Sequence, residues 1–185
     1  LFIEANGIFY GAAAKVYLNS SNNGEFTHPE SERKKLLKKN RKKLEMLHFE
    51  TVVEMLKKII NLVKPKDNLI IAVDGTVNAA KMNQQKSRRF TGSLTEDPYQ
   101  IFEGSPSVSP GTEFMKRLDK YLEKWLKHYK GYLPKNTIYS SHLSPGEGEH
   151  KIFDYIRRGD IIKGKGYHVV SGLDNDLIFL STVSP

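Results

Sequence analysis

The sequence contains no cysteine. Disulfide frameworks, thiolate zinc sites and cysteine nucleophiles are therefore excluded, and any metal must be held by oxygen or histidine. Long apolar runs are missing too: none approaches the ~18 to 20 residues of a spanning helix. Residues 1 to 20 lack the basic start and continuous apolar core of a signal peptide. These absences make a soluble intracellular protein, cytoplasmic or nuclear, the default expectation. Acids are in short supply, 21 against 29 lysines and arginines, which leaves a formal charge of +8 and a pI near 9.5. That balance favours a polyanionic partner such as nucleic acid, although membrane phosphates would satisfy the same charge. There is no internal repeat and no initiator methionine. The chain opens on Leu1-Phe2-Ile3 and closes at Ser184-Pro185 just after the apolar Leu177 to Leu180, as expected of a fragment or a cleaved product.

What is present suffices for one respectable core: 185 residues with 38% hydrophobic content predict a single globular domain or part of a larger one. Four short apolar runs have strand character, at residues 1 to 3, 69 to 73, 137 to 140 and 167 to 171. Helical periodicity lies between them. Residues 44 to 63 place Leu44, Leu47, Val52, Met55, Leu56, Ile59, Ile60 and Val63 at helical spacing before Pro65 stops the helix. Thr112 to Lys130 and Glu149 to Arg158 give two further helices. Strands alternating with helices predict an α/β architecture, a parallel sheet flanked by helices with right-handed crossovers. Two segments interrupt this order. Residues 91 to 110, rich in Gly, Ser, Pro and Thr, read as a mobile loop. Residues 33 to 43 hold eight bases in eleven positions, and fit an RNA-guiding insertion, a localisation signal or a solvated helix face.

The acids are placed with more regularity than they are numerous. Each proposed strand is followed at its carboxyl end by an acid in a Gly- or Asn-containing turn: Glu4 in Glu-Ala-Asn-Gly, Asp74 in Asp-Gly, Glu147 and Glu149 in Pro145-Gly-Glu-Gly-Glu-His150, and Asp174 and Asp176 in Gly172-Leu-Asp-Asn-Asp. Ligands of open parallel sheets bind beyond the carboxyl ends of the strands, so these turns would converge on one crevice. Six carboxylates there would repel and raise one another's pKa values unless cations neutralised them. Such oxygen-rich sites select hard divalent ions, Mg²⁺ or Mn²⁺. Two ions about 4 Å apart can activate water and stabilise a leaving oxygen in phosphodiester hydrolysis. Each acid taken singly also fits a helix cap or a turn. Directly after Asp74, residues 80 to 89 predict a helix with Lys81, Gln85 and Arg88 on one face and Arg89 adjacent. Planar guanidinium forks beside a compact ammonium suit a terminal phosphate. A solvated basic face would read the same way.

In this order these stretches resemble the Xrn-type 5′-to-3′ exoribonuclease family. The matching pieces are Ala72-Val-Asp-Gly75, Ala80 through Phe90, Pro110-Gly-Thr-Glu-Phe-Met115, Pro145 through Ile152, and Gly172 through Ile178. The resemblance implies a PIN-like nuclease core that binds two divalent metals and degrades single-stranded RNA processively from an accessible 5′ monophosphate, releasing mononucleotides and stopping at a cap or triphosphate. It also implies that Asp74, Glu147, Glu149, Asp174 and Asp176 are the metal-binding catalytic acids, and that Lys81, Gln85, Arg88 and Arg89 form the 5′-phosphate pocket. Three departures stand out. Glu4 replaces the family's leading aspartate, one methylene longer; Tyr10 stands where a histidine usually stacks on the terminal base; and Asn78-Ala79 replace Pro-Arg. Relative to the family, the sequence also lacks the leading segment and all that follows the fourth strand. Two other expectations compete with an active nuclease: a catalytically weak relative serving as an RNA-binding or structural component, and a DNA flap nuclease of the wider PIN-like group.

Overall fold

The structure, a computed structural model, describes residues 1–18, 30–95, 107–159 and 166–183, with the backbone alone at 18, 30–39 and 88–95. Its centre is a four-stranded sheet made of β1 (Phe2–Glu4), β2 (Asn68–Ala72), β3 (Asn136–Ser140) and β4 (Val170–Ser171), in the order β3-β2-β1-β4. All three pairings are parallel, with Ile3 opposite Ile71 and Ser171, and Ile70 opposite Ile138. The predicted α/β class is therefore the observed one.

Side chains of successive strand residues point to opposite faces, so the sheet feeds two cores. Ile3, Leu69, Ile71 and Val73 face one side, where they meet α1 (Asn6–Ala13), α2 (Glu30–Val63) and α4 (Glu113–Tyr129). Phe2, Ile70 and Ala72 face the other, against α5 (Gly148–Arg158) and α6 (Asp176–Thr182). In α2 the buried stripe is Phe49, Val52, Val53, Leu56 and Ile60, the period-3.6 pattern that predicted it. Two polar ties fasten α4 to its neighbours: the Arg117 guanidinium donates to both oxygens of Glu45 at 2.7 and 2.8 Å, and the Tyr139 hydroxyl donates to the buried Asp119 at 2.5 Å.

Several sequence boundaries need correction. The helix predicted from residue 44 begins at Glu30 and runs through the basic segment 33 to 43; lysine, arginine and leucine are good helix formers, and no breaker intervenes. The helix after Asp74, α3 (Ala79–Thr95), takes in residues 91 to 95 of the expected loop, the next proline being Pro98. Residues 96–106 of that loop lie outside the described residues. The fourth strand is shorter than expected, and pairing starts where the Phe2 N–H donates to the Val169 carbonyl at 2.8 Å. The segment 177 to 180 is helical, as α6.

The turns beyond β2 and β3 are clasped together. Gly75 N–H donates to the Gly146 carbonyl at 2.9 Å, and Gly146 N–H returns a bond to Thr76 at 2.8 Å. A side chain at 75 has no room: its Cβ would lie 1.7 Å from the Ser144 carbonyl oxygen. Gly75→Ala must therefore break the clasp, and its melting temperature is expected to fall by about 5 °C or more. Gly131→Ala, where a Cβ meets nothing within 4 Å, should stay within about 2 °C of the parent. Equal melting temperatures for all three proteins would refute the clasp's role.

Candidate active site

β1 and β2 are linked on one face of the sheet, whereas the chain reaches β4 from β3 through α5 on the other. The switch in winding therefore falls between β1 and β4, and at such a point the turns diverge and leave a crevice at the carboxyl ends. A cleft of about 320 Å³ opens there, lined by Glu4, Asn6, Tyr10, Asp74, Gln85, Glu149 and Asp174, with Val108 and Pro110 forming its rim before α4.

Each acid arrives by its own element. Glu4 is the last residue of β1 and almost wholly buried. Its Oε1 accepts the Asn6 N–H at 2.7 Å, and Oε2 the Gly7 N–H at 3.4 Å. Asp74 follows β2 and accepts the Gly148 N–H at 2.7 Å through Oδ1, while its own N–H donates to Asn6 Oδ1 at 3.3 Å. Gly148 packs closely between the two acids: a Cβ there would come within 3.3 Å of Glu4 Cγ and 3.4 Å of Asp74 Oδ1. Glu147 is the N-cap residue of α5 and Glu149 sits buried in its first turn, so Gly148 to His150 are helical rather than part of the expected turn. Asp174 precedes α6, and its Oδ1 accepts the Asp176 N–H at 2.9 Å. Glu149, Asp174 and Asp176 each offer a carboxylate oxygen within 4.8 Å of the others.

Of the expected phosphate-binding residues, Gln85 lines the cleft. Lys81, on the first turn of α3, pairs with Glu147 at 2.8 Å, which raises the lysine's pKa through that hydrogen bond. Arg88 and Arg89 lie on the same helix, but their side chains are outside the described residues. Tyr10 is 40% exposed on the cleft wall, with its ring available to a ligand.

The acids are held against their electrostatic preference. Burial pushes the Glu4 carboxyl up to about 7 although the N–H groups of Asn6 and Gly7 pull it down; Asp74 and Asp174 add to the rise. Burial lifts Glu149 to about 8, reinforced by Asp74, Glu147 and Asp174. Asp74 is raised by burial as well, and partly relieved by the Gly148 N–H. A set of carboxylates with this much unmet negative charge, all oxygen donors and no cysteine, fits hard divalent cations. Glu4, Asp74, Glu149, Asp174 and Asp176 are the residues that could hold them; Glu147, expected among them from the sequence, is instead paired with Lys81.

Lys151 was not anticipated as a site residue. It lies on the buried side of α5 with Ile152 and Phe153, and its ammonium donates to the Val73 carbonyl at 2.7 Å and the Ser141 carbonyl at 3.0 Å. It thus joins the strand ends that precede Asp74 and the Glu147 turn, directly beneath the acids. Burial lowers its pKa to about 8, with Asp74 and Asp119 opposing. A lysine at an apolar position of an amphipathic helix is the signal that could have revealed it.

Two outcomes follow. Glu4 and Glu149 keep protons in the folded chain that the unfolded chain has released, so between their ordinary value of 4.5 and about 7 to 8 the metal-free protein loses stability as pH rises. Lys151 opposes this only above about 8. Melting curves in EDTA should fall from pH 5.5 to 8, and Mg²⁺ should raise the melting temperature most at pH 8, where it meets ionised acids; a flat or rising metal-free profile would contradict this. Lys151→Met leaves two buried carbonyls without their donor, a cost of about 2 kcal/mol, read as a drop of roughly 4 to 8 °C in melting temperature. An unchanged melt would show that the lysine ties nothing together.

Comparison with known proteins places this geometry in a family. The profile described as "XRN 5'-3' exonuclease N-terminus" matches residues 1–185. The chain is 32% identical to a Gallus gallus protein named 5'-3' exoribonuclease 2, an alignment covering 97% of this chain and 20% of the relative. It is 36% identical to the Homo sapiens 5'-3' exoribonuclease 1 over 74% of this chain and 9% of that protein. For the Saccharomyces cerevisiae 5'-3' exoribonuclease 1 the identity is 34%, over 71% and 10%. The chain thus spans a fifth or less of the length of these relatives. Profile, identities and the parallel sheet with its acid cleft agree: the chain belongs to the XRN 5′-3′ exonuclease family, of which it carries the amino-terminal region.

Proposed function

We propose that this chain forms the catalytic core of a divalent-metal-dependent 5′-to-3′ exoribonuclease that hydrolyses 5′-monophosphate RNA to mononucleotides. The observation that carries the reading is the convergence of Glu4, Asp74, Glu149 and Asp174, from four separate strand ends, on one cleft that Gln85 also lines.

Each group then has a task. Glu4, Asp74, Glu149, Asp174 and Asp176 are the ligand set for Mg²⁺ or Mn²⁺, two ions by the number of carboxylates, which supply the activation of water and the stabilisation of the leaving oxygen when bound. Lys81 and Gln85, joined by Arg88 and Arg89, receive the 5′ phosphate from one face of α3, so that the scissile bond is measured from the strand's end. The Lys81–Glu147 pair holds that ammonium at the cleft until a phosphate competes for it. Tyr10 offers the terminal base a ring, and Val108 and Pro110 add apolar surface to the cleft wall. The basic run 33 to 43 is carried by α2; its sequence fits an RNA-guiding insertion, a localisation signal or a solvated helix.

One observation favours the weaker reading, a relative that binds RNA and turns it over poorly: both oxygens of Glu4 already face backbone N–H groups, so the ligand that departs from the family pattern is also internally engaged. Cleavage assays separate the two. With Mg²⁺, 5′-monophosphate RNA should yield mononucleotides while 5′-hydroxyl RNA persists, and Asp174→Asn should slow cleavage by about 100-fold or more with RNA affinity largely kept. Intact 5′-monophosphate RNA would overturn the proposal, and a preference for flapped DNA would move the chain to another nuclease class.

A further inference from the structure

The end of the sheet opposite the cleft carries a second chemically distinctive surface. Trp125, Tyr129 and Tyr132 succeed one another at intervals of four and three through the last turns of α4 and the 3₁₀ turn Lys130–Tyr132, which brings their rings to one side. The Trp125 and Tyr129 centroids are 5.7 Å apart with planes 25° from parallel, and those of Tyr129 and Tyr132 are 5.0 Å apart at 27°. From α2 the Lys57 ammonium lies 5.0 Å from the Tyr129 centroid. The stack grades outward into solvent and ends at Tyr132, which is 78% exposed. Between Lys124 and Lys135 the sequence has four lysines, one histidine and no acid; Lys124, Lys127 and Lys130 are exposed.

Packing does not account for this arrangement, because Tyr132 removes little of its surface from water. An exposed ring at the end of a stack that carries a lysine over one of its rings, on a lysine-rich segment, is a combination that single-stranded nucleic acids use: bases lie on the rings and phosphates meet the ammonium groups. An apolar peptide would have no use for the lysines, and an acidic one no use for the parallel rings. We propose that the Trp125–Tyr129–Tyr132 stack with Lys57 is a second binding site for single-stranded RNA, in which an unpaired base stacks on Tyr132. The choice of RNA rests on the exoribonuclease reading above. The helix from Thr112 to Tyr129 rises by about 25 Å, so the nucleotide held here is not the one in the cleft. It belongs to a more distant part of the same strand or to another strand.

Trp125 is the chain's only tryptophan, and its fluorescence therefore reports on this stack and not on the cleft. A single-stranded oligouridylate of about ten nucleotides, without a 5′ phosphate and in EDTA, should quench that emission saturably. Tyr132→Ala should weaken the binding by about tenfold, whereas Tyr132→Phe, which keeps the ring, should restore it. Mg²⁺-dependent cleavage of a 5′-monophosphate trinucleotide, too short to span both places, should be the same in Tyr132→Ala as in the parent. Absent quenching, quenching of full affinity in Tyr132→Ala, or equal quenching by a polyglutamate peptide overturns the site. A chain that quenches in this way but cleaves no RNA refutes the exoribonuclease reading alone, and one that cleaves without quenching refutes only the second site.

Discussion

Bringing several carboxyl groups out of water and next to each other is the constraint on which the rest of this structure depends. Burial and mutual repulsion both favour the protonated forms, and Glu4 and Glu149 are shifted to about 7 and about 8 accordingly. A chain that only needed to be stable would not gather them. The fold compensates with local donors: the N–H groups of Asn6, Gly7 and Gly148 point at Glu4 and Asp74, and the Lys151 ammonium lies just beneath. What remains uncompensated is negative charge at the mouth of the cleft, which is where a hard cation fits.

That constraint explains features that would otherwise look incidental. The strand ends must be registered to within the reach of short side chains, and parallel pairing of three neighbouring strands achieves it, with Glu4 opposite Ala72 and Ala72 opposite Ser140. The turns beyond the strands have few internal bonds of their own. The Gly75–Gly146 clasp and the two bonds from Lys151 therefore tie the β2 turn to the β3 turn. Further out, Arg117 with Glu45 and Tyr139 with Asp119 fix α4 against α2 and β3. Since Val108 and Pro110 lead into α4, its placement also sets the rim of the cleft.

Much of this was legible in the sequence because it rests on local rules. Short apolar runs gave the strands, a period of 3.6 gave the buried part of α2, and the acids after each strand pointed to one end of the sheet. The failures have physical causes too. Helix ends were misplaced where polar residues of good propensity carry a helix past its apolar stripe, as in residues 33 to 43, or where no proline stops it, as in 91 to 95. The roles of Asn6 and Lys151 depend on which backbone carbonyls and amides lie across from them, information that spans up to 78 residues of sequence; a lysine at an apolar position of α5 is its local trace. The same is true of the pairing of Lys81 with Glu147: spacing along one helix predicted a phosphate-binding face but could not show which acid the lysine would meet.

The excess of positive charge and the acid cleft belong to a single electrostatic problem. On the proposed function, RNA would be drawn to a chain of charge +8 at long range, yet the reacting phosphate would have to approach a group of carboxylates that repels it. Lysines and arginines on α2, α3 and α4 would then provide the first attraction, and cations held by the acids would reverse the sign inside the cleft. On this reasoning the raised pKa values of Glu4 and Glu149 are useful as well as costly. Protonated near neutral pH, Glu4 and Glu149 leave the metal-free cleft with less charge than its composition implies, and on the proposed function they would ionise as cations entered. On that reading the basic surface would decide what the protein meets, and the acids when it can react.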